Sequence, residues 1–113
     1  MTRATLVVAR GDRQQAALDG WLRDYPFGVR AVVAEGAFHR LAAPADVAVT
    51  RIAAGCACCV GQVPMRVALV RTLRAARPES LLILVSDDNH LGRLRSLLAD
   101  GSMGVQLEIQ PGG

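Results

Sequence analysis

The sequence predicts an α/β fold: a single three-layer domain with a mostly parallel sheet of about five strands and helices on both faces. Three observations predict it. Short apolar runs with little polar alternation recur along the chain, as strands buried on both faces require. Stretches with apolar residues at helical spacing separate those runs, and strands alternating with helices imply parallel pairing. The 113 residues are 51% hydrophobic and 20% charged, enough apolar mass for one core and too short a chain for two.

The elements follow in order. Thr5 to Ala9 is apolar and partly β-branched, a buried strand, and Arg10-Gly11-Asp12 supplies the turn after it. Asp12 and Gln15 have the form of a capping box, and Ala17, Leu18, Trp21, Leu22 and Tyr25 keep helical spacing up to Pro26. A helix over about Arg13 to Asp24 is expected. Val29 to Ala34 is the next buried strand, and Val47 to Ile52 a third, after a loop holding His39, Pro44 and Asp46. Beyond Pro64, the residues Met65, Leu69, Leu73 and Ala76 make one apolar stripe, with Arg66, Arg71, Arg74 and Arg77 off it as a solvated face. Pro78 ends that helix. Leu81 to Val85 is the clearest buried strand, and Ser86-Asp87-Asp88-Asn89 reads as a turn and helix cap. Leu91, Leu94, Leu97 and Leu98 then mark a third helix closed by Gly101. Val105, Leu107 and Ile109 alternate with Gln106 and Glu108 as a half-exposed last strand. The domain is read as residues 1–110, with 111–113 a loose tail.

Composition narrows the function. Thirteen basic side chains against ten acidic ones leave +3, spread along the chain, whereas a nucleic-acid binder carries a denser patch. Every cation is arginine. Absence of lysine excludes a phosphate-binding P-loop lysine and Schiff-base catalysis. No apolar run approaches the roughly 20 residues of a membrane span, and Arg10 breaks the N-terminal apolar stretch too early for a signal peptide. A cytoplasmic protein that binds neither membrane nor nucleic acid is expected.

The sharpest feature is Gly55-Cys56-Ala57-Cys58-Cys59. Three cysteines, all the chain has, cannot form a disulfide framework, and in a reducing compartment such a cluster points to metal or thiol chemistry. Tetrahedral zinc with bonds of about 2.3 Å to sulfur needs sulfurs roughly 3.7 Å apart, within reach of cysteines at i, i+2 and i+3 around a tight turn. Buried packing of three soft side chains is the plain alternative, and a strained Cys58–Cys59 disulfide a third. Three thiolates leave one tetrahedral position, for which Glu35, His39, Asp87 and His90 are candidates. Glu35 stands first, because a charge closing an apolar strand needs solvent or a partner.

The Gly55–Cys59 motif, the helix with Val67-Ala68-Leu69 and the run Arg77-Pro78-Glu79-Ser80-Leu81-Leu82-Ile83 together resemble a known succession. They are similar to the G-C-x-C-C motif, helix and R-P-D-x-L-L-I-E segment of the CobW-type GTPases, which are metallochaperones. Val32-Val33-Ala34-Glu35-Gly36 resembles that family's strand ending in V-N-E-F-G, and Val49-Thr50-Arg51-Ile52 its strand leading into the cysteines. The resemblance runs in order over about residues 4–100. It implies a transition-metal site, commonly zinc, at Cys56, Cys58 and Cys59, with Glu35 the assisting acid.

The nucleotide half of the family does not carry over. Its phosphate loop corresponds to Ala9-Arg10-Gly11-Asp12-Arg13-Gln14-Gln15-Ala16, which lacks the later glycines, the lysine and the Mg²⁺-binding hydroxyl. An Asp12 cap would occupy the helix amides and oppose an anion, although Arg10 and Arg13 could offer charge to one. The segment Val85-Ser86-Asp87-Asp88 lacks the family's Glu and Gly, and no N-K-x-D segment follows. The chain is therefore read as a degenerate P-loop GTPase-like domain with no enzymatic activity and no nucleotide. The expected function is nucleotide-independent binding of Zn²⁺, with Cu⁺, Co²⁺ or Ni²⁺ also suited to the donors, as a carrier, buffer or sensor. Its partners would be the ion and a client metalloprotein or a second copy. An inactive interaction module, pairing with itself or a full-length partner through the edge of the last strand, is the alternative. A redox pair of Cys56 and Cys58 is a weaker third, since the C-x-x-C spacing has Cys58 inside it.

Overall fold

In the computed structural model, residues 2–36, 41–52, 63–86, 91–99 and 104–109 are described. The order is β1 (Thr2–Val8), α1 (Asp12–Asp24), β2 (Arg30–Glu35), β3 (Val47–Ile52), α2 (Val63–Ala76), β4 (Ser80–Val85), α3 (Leu91–Ala99) and β5 (Val105–Ile109). The strands form one five-stranded sheet, β3-β2-β4-β1-β5, and every pairing is parallel. The domain is thus a three-layer α/β fold, with the sheet wholly rather than mostly parallel.

Two apolar clusters make the core. On one face α2 and α3 bring Met65, Leu69, Leu94 and Leu98 against Leu6, Val33, Leu81 and Ile83. On the other, Leu18 and Trp21 of α1 meet Val7, Val32, Leu82 and Leu84, with Leu41 and Ala43 of the β2–β3 connection alongside. Strands that feed both clusters must be apolar through their middle, with polar residues such as Arg30, Glu35 and Ser80 falling at their ends. That is why β2 and β4, each buried along its full length, read as continuous hydrophobic runs rather than alternating ones. Right-handed crossovers account for the layering: connections running toward β3 cover the α1 face, and those running toward β5 cover the opposite one.

Several boundaries differ from the sequence reading. β1 starts at Thr2, where the Thr2 Oγ1 donates to the Pro78 carbonyl at 2.6 Å and Arg3 pairs with Ser80 and Gln106. Val29 stands outside β2, its N–H donating to the Glu79 side chain Oε1 at 3.4 Å rather than to a strand carbonyl, while its carbonyl accepts the N–H groups of Glu79 and Ser80, at 2.7 and 3.2 Å. The strand instead runs one residue further and ends on Glu35. Helix α2 ends as expected before Pro78, through Arg77 in a left-handed conformation (φ 45°) whose N–H bonds the Leu73 carbonyl. Arg66, Arg71, Arg74 and Arg77 are all exposed.

The capping box is not formed. Gly11, with φ 52°, takes the N-cap position of α1 and leaves Asp12 inside the first turn, with no side-chain cap bond. Gln15 is engaged elsewhere. Its Oε1 accepts the Ala42 N–H at 2.7 Å, and its Nε2 donates to the Ala42 carbonyl and to Asp19, both at 2.9 Å. The first amides instead close backbone turns, Arg13 N–H to Arg10 O and Gln14 N–H to Gly11 O. Asp12 therefore opposes an anion through its charge alone.

Candidate functional site

A parallel sheet gathers the carboxyl ends of all its strands on one edge, where loops meet and ligands bind in open α/β folds. Here the edge holds the residues following β1, the end of β2, the residues following β4, and Ile52, the last residue of β3 and the one that leads toward the cysteines. Glu35 is in register with Ile52.

Glu35 is fully buried. Its Oε1 accepts two hydrogen bonds from Ser86, at 2.9 Å from the backbone N–H and 2.7 Å from Oγ. A buried carboxylate is tolerated where hydrogen bonds replace water, and Ser86 supplies such donors from the end of β4. Gly36 follows with φ 72°, a turn that glycine adopts without a Cβ penalty, and its N–H bonds the Ile52 carbonyl at 2.9 Å. The strand thus delivers Glu35 to the edge and then turns sharply.

A second polar side chain ties the same ends together. Gln14, 2% exposed, donates from Nε2 to the Ala9 carbonyl at 3.2 Å and to the Glu35 carbonyl at 2.9 Å. Ala9 N–H bonds the Val85 carbonyl, and Arg10 Nε donates to the Ser86 carbonyl. The segments after β1, β2 and β4 are therefore cross-linked through Gln14, Glu35, Ser86 and Arg10. Arg10, considered above as a ligand for an anion, is engaged with the β4 end.

Sequence reading singled out Glu35 and Arg10 but missed Gln14 and Ser86. Gln14 carried a signal: it lies four residues before Leu18 and seven before Trp21, on the buried stripe of α1. A polar residue on such a stripe needs buried partners. Ser86 carried none beyond its place in a turn.

Cys56, Cys58, Cys59, His39, Asp87 and His90 lie outside the described residues, as do residues 111–113. Among the described residues no group of three His, Cys, Asp or Glu side chains converges to hold a metal. None of the described helices is long and apolar enough to cross a membrane.

Ser86→Ala tests the tie directly. It removes one of the two bonds that Ser86 gives a buried carboxylate and should lower unfolding stability by about 1–3 kcal/mol, read as a lower urea midpoint at unchanged slope. An unchanged midpoint would mean that the Ser86 hydroxyl adds nothing to the tie.

Comparison with protein-family models, with curated proteins and with solved structures finds no match to the chain.

Proposed function

We propose that the chain is a transition-metal-binding protein that works without nucleotide, a carrier, buffer or sensor whose ion is zinc, held by Cys56, Cys58 and Cys59 with Glu35 assisting. The observation that carries this reading is three thiols within four positions, a few residues beyond a strand whose last residue, Ile52, pairs in register with Glu35. Three thiolates and a carboxylate form a donor set that suits a four-coordinate zinc ion. Glu35 fits an assisting part because Ser86 orients its carboxylate at the strand edge. The reading retains the resemblance to CobW-type proteins for the metal motif and sets aside their nucleotide chemistry. It also retains a reducing, cytoplasmic setting, in which the thiols stay unpaired.

When bound, the ion would keep the thiols deprotonated, so affinity falls as pH is lowered and protons compete for sulfur. The test is metal content. Reduced protein loaded with zinc and passed through gel filtration should carry about one ion per chain, and the combined Cys56→Ser, Cys58→Ser and Cys59→Ser variant essentially none. Retained stoichiometric zinc in that variant refutes the assignment. So does reduced wild-type protein that takes up neither zinc nor copper at micromolar concentration. Tight GTP binding would refute its nucleotide-independent part.

A further inference from the structure

Among the described residues the sheet has two open edges, β3 and β5. At β3 the backbone is poised for pairing. The Ile52 carbonyl accepts the Gly36 N–H, so Ile52 turns its backbone groups toward β2. By the two-residue period of a strand, Val49 and Arg51 turn theirs outward. Among the described residues neither makes a backbone hydrogen bond beyond the sheet.

Beside this edge a groove of about 450 Å³ runs between β3 and α2. Thr50, Ile52, Val67, Ala68, Thr72 and Ala75 line it, and Arg71 is its one charged lining residue among the described residues. Val67 is 43% exposed, a large apolar side chain open to solvent. The surroundings are cationic. Helix α2 contains no acid, and Arg71 and Arg74 are exposed without an ion-pair partner among the described residues. On the opposite face of the strand, Arg51 is exposed and likewise unpaired among the described residues.

We propose that this edge receives an extended acidic segment of a partner protein, which adds to β3 as a sixth strand. Main-chain bonds to Val49 and Arg51 would hold it, while alternate side chains divide between the two faces. An apolar side chain enters the groove, one carboxylate meets Arg71, and a carboxylate on the other face meets Arg51. A second copy fits poorly, because two-fold pairing through this edge sets Arg71 and Arg74 against their own counterparts. This proposal is independent of the metal reading.

The test uses the reduced full chain and a capped synthetic peptide, roughly eight residues long, whose groove-facing positions carry valine and glutamate in turn and whose opposite-face positions carry glutamate. Binding should shift and protect the backbone amides of Val49 and Arg51, and weaken as salt is raised. Arg71→Glu should weaken it about tenfold and gain binding of a second peptide in which only the groove-face glutamates are replaced by lysine. Arg51→Pro should abolish binding while leaving the sheet intact, since it deletes an outward donor that no ladder bond uses. Should that variant unfold, Arg71→Glu and the amide map still decide the matter. Equal binding of both peptides, an unchanged Arg71→Glu affinity, or amide shifts confined to β5 would overturn the proposal. Concentration-dependent self-association that protects the same amides without peptide would overturn it in favour of a second copy.

Discussion

Trp21→Ala is expected to lower the unfolding free energy by about 3–5 kcal/mol, a large share of the roughly 5–15 kcal/mol that holds a domain of this kind together. Trp21 is 2% exposed and packs from α1 onto Val32, Leu82 and Leu84. Its ring lies 5.7 Å from that of Tyr25, tilted by 40°. Among the described residues the indole N–H has no hydrogen-bond partner. The loss therefore comes from packing and the cavity left behind rather than from a broken bond. Trp21→Phe, which keeps an aromatic ring and removes the unbonded donor, should cost markedly less. Because Trp21 is the sole tryptophan, the comparison is read by far-ultraviolet circular dichroism in urea and not by fluorescence. Equal losses for the two variants would show that ring volume is not what α1 contributes.

Gln14→Ala is the second large effect, and it arises differently. The Gln14 amide serves two carbonyls from two segments, Ala9 and Glu35, in a region closed to water. Removing it should cost about 1–3 kcal/mol for each carbonyl left without its donor. Gln14→Glu should be worse at neutral pH, because a carboxylate would face the same two carbonyls. That variant should recover as pH falls, since a protonated carboxyl again offers one donor while an ionised one offers none. Unfolding midpoints of the three proteins at neutral and acidic pH check this. A Gln14→Glu variant as stable as wild type at neutral pH would mean that the amide does not bridge the strand ends.

The layers were legible in the sequence because burial on both faces leaves a coarse trace. Leu81 to Val85 could be found from composition alone, and the stripe of α2 from its period, whereas Val47 to Ile52, expected as a buried strand, is a half-exposed edge strand. What escaped depends on contacts between segments far apart. Whether Val29 or Arg30 opens β2 turns on Glu79, whose side chain takes the Val29 N–H, and no window around Val29 contains it. The capping box failed for a similar reason. Asp12 and Gln15 have the right spacing, but Gly11 reaches a conformation that takes over the cap, and Gln15 is claimed by Ala42. At the candidate site Glu35 was readable as an acid closing an apolar strand. Its partner Ser86 was not, since nothing local distinguishes that serine from any other in a turn.

The strand order also sets the timetable of assembly. Of the five strands β1 is made before the others, yet its neighbours are β4 and β5, and the bond from Thr2 reaches Pro78 across 76 positions. No hairpin can nucleate such an arrangement, so the slowest loop closures must precede any reward. Until β4 is translated, the apolar opening strand has no mate and is exposed to aggregation or to holdase capture. Refolding in milliseconds to seconds, rather than microseconds, is the signature this connectivity should leave.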